Sequence, residues 1–143
     1  MQARWQLYLA AVIPDGTLSL ADELGAGASE IAHEDWIGVD PTSDLEAARR
    51  FLFHDCPDDV VSWALTTLRP FVPRAVYEQA LEPGGVASAA IVPTRDRTLR
   101  PAWMIEAARR RLGVEPILID AGHCPHVSRP RAVANGIGTI TAR

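Results

Sequence analysis

The chain contains three short apolar runs, each closed by turn residues. They lie at residues 6–13, 86–92 and 115–120. Runs of this length that are rich in Val, Ile, Leu and Ala are typical of strands buried on both faces of a sheet. A helical segment separates the second run from the third, and another helix follows the third. The pattern therefore predicts an α/β fold in which parallel strands are joined by right-handed crossovers.

Helical patterns fill the middle of the chain and the later connections. Residues 43–46, Ser-Asp-Leu-Glu, have the spacing of a capping box with Ser43 as the N-cap, and apolar residues follow at helical intervals. Further helices are predicted to begin at prolines, which suit the first turn of a helix. These prolines are Pro57, Pro73, Pro101 and Pro130. Gly113 is expected to end the helix that starts at Pro101.

The composition is that of a single globular domain. With 143 residues, 48% of them apolar, the chain can bury a core without a metal or a disulfide. Its net charge of -4 and its scattered arginines argue against nucleic-acid binding, and residues 109–111 are interpreted as a solvated helix face. The two cysteines, Cys56 and Cys124, form no Cys-x-x-Cys pair. We therefore expect a reducing, cytoplasmic location.

The apolar run after Arg4 superficially resembles a short signal peptide. Gln6 interrupts it, and no small-x-small cleavage site precedes the turn at residues 14–16. The run is also far shorter than the roughly 18 apolar residues that span a bilayer. A buried strand that ends in a turn fits the pattern better, and no membrane association is expected.

Two titratable residues follow the second and third apolar runs. Asp96 comes after residues 86–92, and His123 comes after residues 115–120. Catalytic groups commonly lie at the carboxyl edge of a parallel sheet, so the pair is interpreted as the acid and base of a hydrolytic triad. The Gly-x-Ser-x-Gly elbow that presents a nucleophilic serine does not occur in the 143 residues. This sequence is therefore expected to hold half of a catalytic site.

Two clusters contain the residue types that bind metals. They are His123-Cys124 with His126, and His54-Asp55-Cys56. A structural zinc site needs four convergent ligands, and Pro125 restricts the loop that carries the first cluster. We therefore expect no metal and no cofactor. His126 is interpreted as a loop residue near a pocket mouth, and Cys56 as a small apolar contact.

Four blocks of the sequence resemble one known family. A strand with its turn, a block that begins Phe51-Leu52-Phe53-His54-Asp55-Cys56, a strand with an acidic loop, and a histidine loop follow one another in the family's order. They are residues 9–20, 51–70, 91–101 and 122–130. Over nearly its whole length the chain is similar to the C-terminal half of an α/β-hydrolase, closest to the small esterases that include plant methylesterases and hydroxynitrile lyases.

The resemblance implies a partial α/β-hydrolase fold in one domain, with three parallel strands, flanking helices and a mainly helical cap insertion. Residues 1–16 would form the family's sixth strand and a turn, and residues 17–83 the cap. Residues 84–143 would supply the last two strands, the acid loop, the histidine loop and the C-terminal helix. The earlier strands, the oxyanion loop and the nucleophile elbow are expected to lie upstream of Met1.

By the same resemblance, Asp96 is the acid that orients the imidazole and His123 is the general base of an ester hydrolase. Hydroxynitrile lyases carry a lysine after this histidine, whereas this chain has Cys124, which favours ester hydrolysis. Asp15 is a rival acid, although its Pro-Asp-Gly context is more simply a turn. Ser29 comes nearest to an elbow serine, but it lacks the second glycine and a preceding strand, which favours a loop or helix-cap serine.

The expected ligand is a small apolar ester. Large apolar side chains of the cap suggest a pocket for it, although most of them also suit an ordinary core. They are Trp36, Phe51, Phe53, Trp63 and Leu65. The first strand would lack a neighbour, and an unpaired edge recruits another strand, so we expect a homodimer, docking with an N-terminal half, or aggregation. The favoured interpretation is an esterase module that is inactive alone. The alternatives are a non-catalytic binding or regulatory module and a truncated gene product.

Overall fold

A three-stranded parallel sheet organises the fold. The computed structural model describes residues 4–69, 78–80 and 85–142. The strands are β1 (Trp5–Leu9), β2 (Ala87–Pro93) and β3 (Ile117–Ile119), with β2 in the middle. Leu9 pairs with Ile91, which in turn pairs with Ile117. The predicted parallel α/β sheet is confirmed, and its register brings the carboxyl ends of the strands to one edge.

The strands are shorter than the apolar runs that predicted them. β1 ends at Leu9 rather than at residue 13, because Ala10 adopts a left-handed backbone with a φ of 47°. The chain then turns inward, and Ile13 is only 1% exposed. β3 likewise covers residues 117–119 of the expected 115–120. An apolar run indicates burial rather than strand pairing. Here the buried stretch extends beyond the residues that pair with a neighbouring strand.

Among the described residues, three α-helices lie between β1 and β2. Their bounds are α1 (Leu20–Ile31), α2 (Leu45–Phe51) and α3 (Asp58–Thr67), and a 3₁₀ turn (Glu34–Trp36) follows α1. The hydroxyl of Ser19 caps α1 by accepting the amide of Asp22 at 3.1 Å. α3 begins directly after Pro57, as predicted. The helix predicted to begin at Pro73 lies outside the described residues, apart from residues 78–80 at its end.

The start of α2 differs from the prediction. Asp44, not Ser43, is the N-cap, and its carboxylate accepts the amide of Ala47 at 2.9 Å. Ser43 instead donates its hydroxyl to the carbonyl of Asp40 in the preceding turn. Asp and Ser are about equally good N-caps, so residue type alone could not separate two adjacent candidates.

Helices cover both faces of the sheet. They are α4 (Pro101–Ala107) with a π-helical turn (Ala108–Leu112) after it, α5 (Pro125–Ser128) and α6 (Pro130–Thr141). α4 packs around Ala90 and α6 around Ile91, which point to opposite faces because side chains alternate along a strand. Gly113 ends the first of these helices with a φ of 68°, as predicted. No helix in the described part of the chain is long and apolar enough to cross a bilayer.

A separate apolar cluster joins α2 to α3. Its buried members are Ala48, Leu52, Phe53, Val61 and Ala64. Cys124, from the loop after β3, packs against this cluster. At the end of α1, Ala32 pairs with Leu99 from the loop after β2. The helical segment between β1 and β2 therefore lies against the two loops that leave the carboxyl edge of the sheet.

Candidate active site

The structure brings the predicted acid and base together. Asp96 lies in the loop after β2 and His123 in the loop after β3, and the Asp96 Oδ2 to His123 Nδ1 distance is 2.8 Å. The Asp96 side chain is fully buried, whereas the His123 side chain is 23% exposed. A carboxylate only accepts, so Nδ1 carries the proton and donates it to Asp96. In a neutral imidazole with its proton on Nδ1, the other ring nitrogen, Nε2, has the lone pair that a base requires.

Asp96 is held by donors from its own loop. Its Oδ1 accepts the amide of Thr98 at 2.7 Å, the hydroxyl of Thr98 at 2.9 Å and the amide of Leu99 at 3.1 Å. These three bonds fix one oxygen of the carboxylate, and the second oxygen remains for His123. The loop therefore fixes the orientation of the Asp96 carboxylate.

Thr98 is a site residue that the sequence analysis missed. Its Oγ1 lies 2.7 Å from His123 Nδ1, and the residue is 1% exposed. Because the hydroxyl proton goes to Asp96, the same oxygen can accept from the imidazole, so Thr98 contacts both members of the pair. The signal available in the sequence was its place two positions after Asp96, where a short polar side chain can bond back to the carboxylate.

Two histidines of the helical segment bind the acid loop. His33 Nε2 lies 3.0 Å from the carbonyl of Asp96, and His54 Nε2 lies 3.0 Å from the carbonyl of Arg95. A carbonyl only accepts, so each Nε2 donates. Burial and the charge of Arg97 lower the pKa of His54, which favours a neutral ring with its proton on Nε2. In the sequence, His54 stood out only as a metal-ligand type, and His33 did not stand out at all.

Asp55 binds the histidine loop. Its Oδ2 accepts the amide of Gly122 at 2.8 Å, and its side chain is 3% exposed. Burial raises the pKa of the Asp55 carboxyl, but the bond from Gly122, the nearby hydroxyl of Ser128 and the positive charge of Arg129 outweigh it. The pKa therefore lies below its ordinary value. Asp55 is an ionised, buried group 67 residues away from the loop that it holds.

The rival residues lie elsewhere. The Asp15 carboxylate accepts both the hydroxyl and the amide of Thr17, within its own turn, and it does not bind His123. Ser29 is neither a loop residue nor a cap, because it lies inside α1 and is exposed. Its carbonyl accepts Arg100 Nε at 2.6 Å. The interpretation of Ser29 as a loop or helix-cap serine is therefore wrong in position, since the apolar spacing that extends α1 through it was not recognised.

The cysteines are poorly suited to metal or nucleophilic chemistry. Burial, followed by the neighbouring groups Cys56, Asp96 and Asp55, raises the pKa of the Cys124 thiol to about 12. Burial and the charge of Asp55 also raise the pKa of Cys56. The thiolate is the nucleophile and the ligand, so both groups are held in their inactive form. Within the described ranges, no group of three or more His, Cys, Asp or Glu side chains could hold a metal ion.

An apolar groove of about 860 Å³ lies beside the acid loop. Its lining includes Trp36, Leu24 and Leu99, and Leu99 directly follows the Thr98 that binds Asp96. Of the five side chains predicted to form a pocket, Trp36 lines this groove. The others do not: Phe51 and Phe53 are buried, Leu65 packs on the cluster that joins α2 to α3, and Trp63 is 60% exposed. Large apolar residues alone do not distinguish a core from a pocket.

Comparison with known proteins finds the fold but no close relative. No protein-family model matches the chain, and no curated protein matches its sequence. Two crystal structures of polyneuridine aldehyde esterase, one of them of a mutant, superpose on it with TM-scores of 0.74 and 0.75 at 17% and 14% identity. Each superposition covers 96% of this chain and 62% of the esterase. The chain therefore has part of an α/β-hydrolase fold, as its resemblance predicts.

Proposed function

We propose that the chain is a carboxylic-ester hydrolase module that supplies the acid and base of a Ser-His-Asp triad. The observation that carries the proposal is the 2.8 Å bond between the buried Asp96 carboxylate and Nδ1 of His123. This bond holds the imidazole in the tautomer that a general base requires, with Nε2 unprotonated. The esterase fold supports the assignment, because it joins these two loops at one edge of the sheet.

In this mechanism His123 Nε2 takes the proton of a serine hydroxyl as the serine oxygen attacks the ester carbonyl. Asp96 stabilises the imidazolium that forms, and His123 then returns the proton to the leaving alcohol as the acyl-enzyme is produced. Water repeats the sequence to release the acid. Under this proposal the serine and the oxyanion donors would come from another segment, since no Gly-x-Ser-x-Gly elbow occurs in these 143 residues.

The proposed substrate is a small apolar ester. Residues 17–83 would form the cap, and the groove lined by Trp36 and Leu99 would receive the acyl or alcohol group. Cys124 follows His123 at the position where the lyases of the resembling family carry a lysine, which favours esters over cyanohydrins. Both cysteines are free, which suits the reducing cytoplasm that we propose as its location.

The 143-residue chain alone should not hydrolyse esters above background. Without an activated nucleophile, His123 can assist only water, and each missing oxyanion donor costs about 100- to 1000-fold in rate. The measurement is release of p-nitrophenol from p-nitrophenyl acetate by the purified chain and by its His123→Ala variant. Equal, background rates are expected. Turnover that disappears in His123→Ala, together with a fluorophosphonate adduct on a serine, would show that the chain carries its own nucleophile.

A second prediction concerns the edge of β1. Ala10 donates its amide to Ile91, so the alternating amides of Leu7 and Leu9 point away from β2. Among the described residues no strand pairs with that side, and such an edge recruits another strand. We expect micromolar samples to form an edge-to-edge dimer or larger species in sedimentation, and a separate N-terminal half to replace that contact. A monodisperse monomer with slow hydrogen exchange at Leu7 and Leu9 would contradict this.

A non-catalytic binding module is the second candidate function. The groove beside the acid loop favours it, because an apolar ligand could bind there without any chemistry. The two functions differ in what His123 does. Substitution of His123 should abolish the activity of a reconstituted esterase but leave ligand binding by a non-catalytic module unchanged.

A further inference from the structure

We infer that Asp55 is a positioning residue for His123, an inference that rests on the proposed esterase function. Asp55 lies between α2 and α3, and its Oδ2 accepts the amide of Gly122 at 2.8 Å. Gly122 directly precedes His123, so this bond fixes the backbone from which the imidazole projects. The position of a general base must be fixed to within about 0.5 Å of the productive geometry. The bond from Gly122 to Asp55 therefore bears directly on the proposed catalysis.

The neighbouring residue holds the other half of the pair. His54 Nε2 donates to the carbonyl of Arg95 at 3.0 Å, and Arg95 directly precedes Asp96. Two consecutive side chains of the helical segment therefore bind the residues immediately before the acid and immediately before the base. Arg95 also donates its amide to the carbonyl of Ala121 at 3.0 Å, which ties the two loops to each other. Residues 54 and 55 thus bear on the relative position of Asp96 and His123.

Burial of the Asp55 carboxylate costs more free energy than a purely structural contact would require. Its side chain is 3% exposed, and one of its oxygens, Oδ1, is buried without a well-formed bond among the described residues. The Ser128 hydroxyl lies near it but is itself buried without a hydrogen-bond partner in the described part of the chain. The groups that face the carboxylate are His54, Arg95 at 4.0 Å and Arg129. A charge-assisted bond is about twice as strong as a neutral one, which explains a carboxylate at a position that an apolar side chain could fill.

The test uses nuclear magnetic resonance on the 143-residue chain and needs no activity. The two readouts are the exchange rate of the Gly122 amide and the Nδ1–H resonance of His123, with the amides of β2 as an internal reference. Asp55→Ala removes the acceptor and should accelerate Gly122 exchange roughly 10- to 100-fold while weakening the His123 resonance. The β2 amides should keep their exchange rates.

Asp55→Asn keeps an oxygen at the same place without its charge. Gly122 exchange should then be faster than in the wild type and slower than in Asp55→Ala. The matched control is Asp120→Ala, because Asp120 also pairs with Arg95, at 2.6 Å, but is 82% exposed and does not bind Gly122. This control should leave both readouts unchanged.

Wild-type exchange at Gly122 and a wild-type His123 resonance in Asp55→Ala would overturn the inference. If Asp55→Ala does not fold, Asp55→Asn decides: faster Gly122 exchange over unchanged β2 amides supports positioning, and wild-type exchange overturns it. Loosening of β2 and Gly122 together in both variants would make Asp55 a general stability residue. An inactive wild-type protein after reconstitution would refute the proposed function and leave these resonances to decide the role of Asp55.

Discussion

Adding an N-terminal half that carries a nucleophile elbow should restore ester hydrolysis to the 143-residue chain. Asp96 and His123 are already bonded at 2.8 Å, so the added half has only to bring a serine hydroxyl within hydrogen-bond reach of Nε2. The measurement is ester turnover by the complex isolated by size exclusion. His123→Ala should abolish the restored turnover, because no other described group takes its place beside Asp96.

The two candidate acids separate in the same assay. Asp96→Asn should leave the fold intact but lower kcat by about 10⁴, since the amide favours the wrong imidazole tautomer, as the equivalent change does in serine proteases. Asp15→Asn is the matched control and should have little effect, because among the described residues the Asp15 carboxylate bonds only within its own turn. A complex that assembles yet stays inactive, with the groove still binding apolar ligands, would favour the non-catalytic module.

The sequence predicted the sheet and the two loops because their signals are local. Each strand is an apolar run closed by a turn. Pro101 and Pro130 mark the first residues of helices and Gly113 marks the end of one, because of their own backbone preferences. The proximity of Asp96 and His123 could be predicted for a related reason. Each follows a strand of a parallel sheet, and parallel strands place their carboxyl ends together.

The residues that support the pair left no such signal. His33 and His54 act on the acid loop from 63 and 41 residues away, and Asp55 acts on the histidine loop from 67 residues away. Their partners are backbone groups, which every residue carries, so neither spacing nor residue type identifies them. The exposed position of Trp63 was missed for a similar reason, since tertiary packing decides which apolar residues of a helix are covered.

Replacing Gly122 with alanine should destabilise the chain and disturb the histidine loop. A methyl group at residue 122 would lie 2.7 Å from both Asp55 Oδ1 and His54 Nε2, well inside van der Waals contact. Neither side chain can move freely, because His54 donates to Arg95 and Asp55 accepts from Gly122 itself. Overpacking of this kind costs about 1–3 kcal/mol, and here the strain falls on the residue before His123.

Gly138→Ala is the matched control for this change. Gly138 lies in α6, and beyond the adjacent backbone of that helix no described atom lies within 4 Å of the added methyl group, so alanine should stabilise the helix by about 0.5–1 kcal/mol. Urea unfolding of both variants measures the two free energies, and opposite signs are expected. In the reconstituted esterase, Gly122→Ala should also lower kcat, whereas Gly138→Ala should not. A Gly122→Ala chain as stable as the wild type would mean that the histidine loop can move away from residues 54 and 55. The packing of Gly122 against residues 54 and 55 would then not fix the position of His123.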